Sequence, residues 1–269
     1  MPLKILRPDS LAGASAALAD TPRARFLGGG TLAVRDYSAG DTSIGALVLS
    51  DGLGLDAIRI DSGRVELGAA VTMAAVAAHR GLAFLRDVAR EIGGPAVRAM
   101  ATVGGNLFAP PPYGDFSVAL LALMAEVATI EGKAQDQMAL ETFLPTRSKA
   151  ARRIVTGVSF TLPPQGAFRF AKVTRKHPHG ASVLSIAALL PIEGGLVKGA
   201  RVAYGAMAPA PVRAHAVEKA LEGRPLDESS IAAAAAVAGE GTSPASDASA
   251  SDWYRASVLP VHLARLLQR

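Results

Sequence analysis

Phe26-Leu-Gly-Gly-Gly-Thr31 and Thr102-Val-Gly-Gly-Asn106 are two runs of adjacent glycines, each closed by a hydroxyl or amide side chain. Without a β-carbon, the backbone turns sharply and brings successive N–H groups against a bound anion. Two such runs predict a diphosphate held from both sides. We call residues 28–32 the first glycine run and residues 102–106 the second. The predicted diphosphate contacts are Gly28, Gly29, Gly30, Thr31, Thr102, Gly104, Gly105 and Asn106.

The first glycine run alone also fits the dinucleotide fingerprint of a Rossmann domain. Read as Gly28-x-Gly30-x-x-Ala33, it follows an apolar segment and precedes a candidate helix, and Asp51 lies about where such a domain grips a ribose. However, the sequence at 37–41 breaks that helix early, and the next segment of the chain lacks the alternation of a βαβ unit. A Rossmann-type NAD-binding oxidoreductase therefore remains an alternative, as does the interpretation that the glycines only serve tight turns.

Composition predicts an ordinary globular protein with room for two or three domains. The chain has 269 residues, of which 50% are hydrophobic and 19% charged. The longest apolar run, residues 231–238, is too short to cross a bilayer, and the start of the chain shows no signal-peptide pattern. We therefore expect a cytoplasmic protein without a transmembrane segment.

The chain contains no cysteine. This excludes disulfides, a thiol nucleophile and cysteine-ligated zinc or iron–sulfur sites within the chain, so any redox chemistry needs an organic cofactor. The formal net charge is +5, but the basic residues of segments 147–153 and 169–176 form separate clusters with few aromatic residues between them. This pattern favours an anionic cofactor, an acidic partner or a solvated surface over nucleic acid.

Local patterns divide the chain into three parts. Residues 1–55 read as a small β-α-β unit, with Asp9 or Ser10 as the N-cap of its first helix. Residues 56–165 read as a hairpin that turns at 61–63, followed by helices, one of them over 82–92, and strands. The turn-rich Pro163-Pro-Gln-Gly166 is the predicted boundary before a third part, 166–269, with a sheet packed by helices. Within that part, the low-complexity segment 241–250 reads as a flexible loop, and 258–268 as an amphipathic helix.

Beyond these local patterns, the chain resembles the FAD-binding medium subunit of molybdenum hydroxylases of the carbon monoxide dehydrogenase and xanthine dehydrogenase type. Each matching segment is short, but their order and spacing along the whole chain are specific. These segments are Gly28-Gly-Gly-Thr31-Leu32, Glu66-Leu-Gly-Ala-Ala-Val-Thr72, Ala101-Thr-Val-Gly-Gly-Asn106, Pro112-Tyr-Gly-Asp115, Lys172-Val-Thr-Arg-Lys176, Tyr204-Gly-Ala-Met-Ala-Pro-Ala-Pro-Val-Arg-Ala214, and Pro244-Ala-Ser-Asp247 with Ser251-Asp-Trp-Tyr-Arg255.

The resemblance implies an α+β protein in which a two-subdomain FAD-binding fold of the vanillyl-alcohol-oxidase (PCMH) type precedes a C-terminal α+β domain. It also implies an oxidoreductase subunit that is active only in a complex. An iron–sulfur small subunit with [2Fe-2S] clusters and a molybdopterin large subunit would be its partners, in a dimer of heterotrimers. Electrons would pass through FAD on this chain to NAD, a quinone or oxygen. A flavin-free binding or scaffold subunit with the same fold is the second alternative.

The resemblance further implies roles for single residues. Leu32 stands where relatives have Asn or Asp, so it would contribute only its backbone N–H to the cofactor. Asp115 would contact the adenosine part of FAD, although it also suits the N-cap of the following helix. Lys172 would lie by the flavin ring, where a cation stabilises the reduced, anionic flavin. His177 and His179 flank a proline, and we interpret them as loop histidines and not metal ligands. The resemblance also implies that segment 241–250 is ordered.

Overall fold

The structure is a computed structural model that describes residues 3–149, 152–178 and 180–269. Its N-terminal part is a three-stranded parallel sheet in the order β1-β3-β2, with two helices in the connections. Ser10 begins the first helix as its N-cap, because its side chain accepts a hydrogen bond from Gly13 N. The elements are β1 (Lys4–Leu6), α1 (Leu11–Asp20), β2 (Ala24–Leu27), α2 (Ala33–Ser38) and β3 (Ala46–Leu49).

The middle part is built on a five-stranded antiparallel sheet in the order β4-β5-β8-β6-β7. Short helices connect β5 to β6 and carry the second glycine run. The elements are β4 (Ile58–Asp61), β5 (Arg64–Gly68), α3 (Met73–Ala78), a 3-10 helix (Arg80–Leu85), α4 (Arg86–Arg90), α5 (Pro95–Met100), α6 (Val103–Leu107), α7 (Asp115–Ala122), β6 (Glu126–Glu131), β7 (Ala134–Ala139), α8 (Leu140–Thr146), a 3-10 turn (Arg147–Lys149) and β8 (Ile154–Thr161).

The C-terminal part has a four-stranded antiparallel sheet in the order β14-β13-β10-β9, a small β11-β12 hairpin and three helices. One face of the sheet packs under the helices through alternate residues of β10 such as Leu184 and Ile186. The elements are β9 (Phe168–Thr174), β10 (Ser182–Leu189), β11 (Ile192–Glu193), β12 (Leu196–Val197), β13 (Arg201–Gly205), β14 (Val212–Arg213), α9 (His215–Leu221), α10 (Glu228–Ala236) and α11 (Asp252–Leu267).

The other face of the C-terminal sheet shares a hydrophobic core with the middle part. Ala187 and Ala203 belong to that core, and Phe168 and Phe170 pack against it. The element they meet is α7, every residue of which is buried. A helix that is buried on every side needs partners all round, and the C-terminal sheet supplies one of them. Residues on both sides of the 163–166 linker are thus packed together.

The three-stranded sheet argues against the Rossmann alternative. The first glycine run follows β2, which lies at an edge of the sheet, and the helix after it has six residues. A dinucleotide-binding fold instead starts its glycine loop from a strand inside a larger doubly wound sheet. The helix α2 is short, as the sequence at 37–41 already indicates, and the middle sheet is antiparallel. Neither feature is typical of a series of βαβ units.

Three local predictions differ from the structure. The final helix begins at Asp252, six residues before the predicted start, because Ser251 caps it by accepting a hydrogen bond from Tyr254 N. The helix predicted over 82–92 is shorter: Leu82 has non-helical dihedral angles, a 3-10 helix continues to Leu85, and the α-helix covers only Arg86–Arg90. Asp115 is not an N-cap either: Gly114, in the left-handed conformation at φ 93°, holds that position.

Segment 241–250 contains no helix or strand but is not a flexible loop. Asp247 Oδ1 accepts hydrogen bonds from the backbone N–H of Ser249 and Ala250, and Asp247 Oδ2 lies 2.8 Å from the buried Arg255 guanidinium. The same guanidinium donates to Ala245 O. The composition-based prediction of flexibility is therefore wrong, because side chain to backbone bonds replace regular structure.

Candidate functional site

The two glycine runs touch each other. A β-carbon at Gly28 would lie 2.6 Å from Thr102 Oγ1, and one at Gly29 would overlap the carbonyl group of Met100. Glycine is required at position 29 because another stretch of backbone occupies the space of a side chain. We call this contact line between residues 28–29 and 100–102 the seam. The two runs are in direct contact at the seam, which leaves no space for a ligand between them. A ligand therefore has to lie on the surface along the seam.

The first glycine run presents unused hydrogen-bond donors. The backbone N–H groups of residues 28 to 32 have no acceptor among the described residues. Gly30 adopts φ 70°, which turns the chain before α2 begins. Leu32 directly precedes that helix, and its carbonyl group accepts a hydrogen bond from Asp36 N. The N–H group of Leu32 has no acceptor among the described residues. Successive free amides on a turn of this kind suit an anion.

The second glycine run is different, because the backbone N–H groups of residues 103–106 are already hydrogen-bonded. Val103 N and Gly104 N donate to Val71 O and Ala69 O, and Gly105 N donates to Thr102 Oγ1. These bonds correct the expectation of two equivalent amide cradles. What this run offers to a ligand is side-chain chemistry: the Thr102 hydroxyl, and the Asn106 amide, which donates to Thr102 O at 3.0 Å.

The glycines of the second run also differ from each other in their surroundings. A β-carbon at Gly104 would lie 2.9 Å from Ala69 Cβ, so this glycine is needed for packing. At Gly105 the only neighbour within 4 Å is Thr102 Oγ1, at 3.0 Å. Gly105 therefore faces open space on the surface that the seam presents.

Apolar and aromatic side chains surround the seam and are exposed. Val34, Met100, Phe108 and Tyr113 have between 43% and 55% of their surface exposed. The Arg35 guanidinium lies over the Tyr113 ring at 5.5 Å, and this contact joins the α2 segment to the loop before α7. A hydrogen bond to Asp36 raises the pKa of Arg35, and Tyr113 raises it further, so Arg35 stays a cation. Flat apolar rings of a ligand would find contacts here.

Asp115 and Lys172 lie in a buried ion pair with 2.9 Å between Asp115 Oδ2 and Lys172 Nζ, and their side chains are 6% and 5% exposed. Ser182 Oγ donates to Asp115 Oδ1 at 2.8 Å, and Lys172 Nζ also donates to Glu91 O at 2.8 Å. The predicted cofactor roles, adenosine for Asp115 and flavin ring for Lys172, stay predictions, and the structure adds that the two side chains are in direct contact.

The basic segment 169–176 does not form one charged face. Arg169 donates to Leu266 O and Leu267 O at the end of α11, whereas Lys172 is buried. Arg175 is exposed, as is His177, whose Nε2 lies 3.4 Å from Thr174 Oγ1. His179 lies outside the described residues. In the described part of the chain, no three His, Asp or Glu side chains are grouped to hold a metal ion, and no helix is long and apolar enough to cross a membrane.

Sequence reasoning missed the partners of the predicted site residues. Met100 supplies the carbonyl under Gly29, and Ser182 and the Glu91 carbonyl complete the surroundings of the ion pair. No local pattern marks these residues, because each acts through a long-range contact. Tyr113, which follows Pro112, was part of a matched segment. Its contact with Arg35 could not be predicted, because the two residues are far apart in the sequence.

Comparison with known proteins agrees with this fold. The family described as FAD binding domain in molybdopterin dehydrogenase matches residues 1–163, and the CO dehydrogenase flavoprotein C-terminal domain matches residues 168–269. A xanthine dehydrogenase FAD-binding subunit of Escherichia coli O157:H7 is 25% identical over 261 residues, which cover 93% of this chain and 89% of that protein. The glyceraldehyde dehydrogenase medium chain of Sulfolobus acidocaldarius is 28% identical over 66% of this chain, and the match spans 64% of its length.

Solved structures show the same architecture. A chain of the reconstituted CO dehydrogenase from Oligotropha carboxidovorans has a TM-score of 0.93 at 26% identity and covers all of this chain, with 97% of its own length matched. The CO dehydrogenase from Hydrogenophaga pseudoflava shares the fold at 21% identity, also with a TM-score of 0.93. This chain thus belongs to the family of FAD-binding subunits of the molybdopterin dehydrogenases, which are oxidoreductases, and it has the two-part FAD-binding fold followed by the C-terminal α+β domain.

Proposed function

We propose that this chain is the FAD-carrying electron-transfer subunit of a multi-subunit molybdenum hydroxylase. An iron–sulfur small subunit and a molybdopterin large subunit complete the enzyme, as a dimer of heterotrimers. Electrons enter from the clusters of the small subunit and leave to an external acceptor, for which NAD, a quinone and oxygen are the candidates. The observation that carries the proposal is the row of five unbonded amides in residues 28–32 along the seam.

The residues at the seam fit FAD. The free amides of the first glycine run suit the negative charge of a diphosphate, and the Thr102 hydroxyl and Asn106 amide add donors from the other side. Beside them, the exposed apolar side chains of Met100 and Phe108 provide faces for flat rings. Bound FAD would supply the redox chemistry, and the protein's part is to position the cofactor and exclude water.

The lack of cysteine supports a division of labour between chains. Iron–sulfur clusters of the [2Fe-2S] type are held by cysteine thiolates, which this sequence does not have. The described residues also lack a metal-ligating cluster. In the proposed complex, electrons reach this subunit from the clusters of another chain, and one of its surfaces brings a partner's cluster near the cofactor.

Co-expression with the chains encoded beside this one tests the proposal. We expect an iron–sulfur chain and a molybdopterin chain to purify with it, and the flavin absorbance to bleach under anaerobic conditions when the reducing substrate is added. Xanthine, an aldehyde, nicotinate and carbon monoxide form a first substrate panel, because relatives and structural neighbours carry these names. The isolated chain serves as the control and should keep its flavin oxidised.

Two outcomes would replace the proposal. If the isolated chain bleached its own flavin with an organic substrate at the rate of the full complex, it would be a self-contained flavin oxidoreductase. If the chain joined the complex but carried no flavin, the alternative of a flavin-free scaffold subunit would hold. Release of NAD and not FAD on denaturation would support the NAD-binding alternative, which the three-stranded sheet disfavours.

A further inference from the structure

We infer that Lys172 and Asp115 form an inter-domain clamp through which the C-terminal domain fixes, at both ends, the segment that carries residues 100–106 along the seam. The inference deepens the proposed function, because it concerns how the same FAD site is kept in shape. It assigns both residues a positioning role in place of the separate cofactor contacts that the family resemblance implies.

The clamp crosses from one domain to the other. Lys172 is on β9 and Ser182 on β10 of the C-terminal sheet, whereas Asp115 begins α7 and Glu91 follows α4 in the FAD-binding part. Asp115 receives the Lys172 ammonium at 2.9 Å and the Ser182 hydroxyl at 2.8 Å. Both charged side chains are about 95% buried, so water does not replace either partner when the other is lost.

Lys172 holds both ends of the segment that carries the second glycine run. Its second bond goes to Glu91 O, at the start of the segment that continues through α5 to Met100. Met100 is the residue whose carbonyl lies against Gly29. One bond of the ammonium therefore fixes the beginning of the stretch that ends under the first glycine run.

The other bond of Lys172 leads to the second glycine run. Asp115 is the first residue of α7, and two residues later Ser117 Oγ donates to Asn106 O at 2.9 Å. Gly114 also lies close, since a β-carbon there would be 3.3 Å from Asn106 O. Displacement of Asp115 would thus move the groups that hold Asn106, and loss of Lys172 would release the segment that carries the second glycine run at both of its ends.

A double-mutant cycle on the full chain tests the clamp. Lys172→Met leaves a buried carboxylate without a counter-charge and should lower the Tm by about 10 °C. We expect the same variant to weaken FAD binding to the apoprotein by about tenfold in a fluorescence titration. Adding Asp115→Asn removes the stranded charge and keeps an acceptor for Ser182, so the double variant should recover more than half of the Tm loss and most of the FAD affinity.

An exposed ion pair of the same chain is the matched control. Arg64 and Glu126 lie 2.8 Å apart with nearly half of each side chain exposed, and both are within the FAD-binding part. Glu126→Gln should lower the Tm by about 2 °C or less and leave FAD affinity unchanged.

Each result supports the clamp or overturns it. Additive Tm effects in the cycle would overturn the clamp, as would a double variant less stable than Lys172→Met. A double variant that recovers its Tm but binds FAD as weakly as Lys172→Met would show that Lys172 contacts the cofactor directly, which also overturns the clamp. If the wild-type chain bound no FAD, the proposed function would fail, while the Tm cycle would still report on the clamp.

Discussion

Gly29 lies directly against the carbonyl group of Met100, so closely that a β-carbon at position 29 would overlap it. Together with the contact between Gly28 and the Thr102 side chain, this joins two distant parts of the chain into one surface. The two runs therefore make unequal contributions to the proposed site: among the described residues, the first has unbonded amides, and the second has side-chain donors and supports the first.

Gly29→Ala should open the seam. Because the new methyl group meets backbone and not a flexible side chain, we expect a destabilisation of about 3 kcal/mol and loss of FAD in whatever folds. Urea unfolding measures the first effect and flavin absorbance the second. Gly239→Ala is the control, since a β-carbon there meets nothing within 4 Å and the residue does not have a positive φ. Equal stability of the two variants would argue against the close contact.

Gly105→Asp should remove FAD without unfolding the protein. Gly105 is exposed, and a β-carbon there needs only a small shift of the Thr102 hydroxyl, whereas a carboxylate would repel a diphosphate on the seam. We expect the variant to keep its circular dichroism spectrum but to bind FAD at least about tenfold more weakly. Gly105→Ala separates size from charge and should stay close to wild type in affinity. Normal flavin content in a folded Gly105→Asp variant would remove the second glycine run from the site.

Acid should loosen segment 241–250 through Asp247. Partial burial raises the pKa of Asp247, but the Arg255 hydrogen bond and the N–H groups of Ser249 and Ala250 lower it more, so its net pKa is below the usual value. A carboxyl with a depressed folded pKa stabilises the fold above its unfolded pKa of about 3.9, and this contribution is lost as pH falls through the folded pKa. Asp247→Asn should therefore be less stable than wild type at neutral pH.

Thermal unfolding of both proteins between about pH 7 and pH 3 measures this effect, because the stability difference should shrink as wild-type Asp247 takes up its proton. Limited proteolysis gives a local readout, with faster cleavage within 241–250 for Asp247→Asn at neutral pH. A stability difference that stays constant down to the lowest pH would contradict the role of the ionised carboxylate.

The purified chain should show no iron–sulfur signal. It has no cysteine to hold a cluster, whereas the assembled complex should show both flavin and cluster features. Electron paramagnetic resonance of the dithionite-treated chain and of the complex, recorded at equal protein concentration, makes the comparison. A cluster signal from the isolated chain, with matching iron content, would overturn the proposed division between subunits.

Sequence reasoning identified the family, the fold class and the two glycine runs, because these depend on local residue order. Local residue chemistry also predicted the hairpin turn at 61–63 correctly, and Ser10 is one of the two residues, with Asp9, that were predicted as the N-cap of the first helix. It did not predict that backbone N–H groups of the second run are already hydrogen-bonded, because their acceptors, the carbonyl groups of Ala69 and Val71, come from another segment. The pairing of Asp115 with Lys172 was equally hidden, because it depends on how the C-terminal sheet packs on α7.

The flavin content of the purified full chain tests the central claim most directly. The protein should be yellow, and denaturation should release a flavin that chromatography and mass spectrometry identify as FAD, in equimolar amount to the chain. Apoprotein prepared by removing the flavin should regain the spectrum when FAD is added, but not with FMN or NAD, because the free amides of the first glycine run need a diphosphate and the apolar rim needs a flavin. A folded, colourless protein that takes up no FAD in this titration would contradict the account.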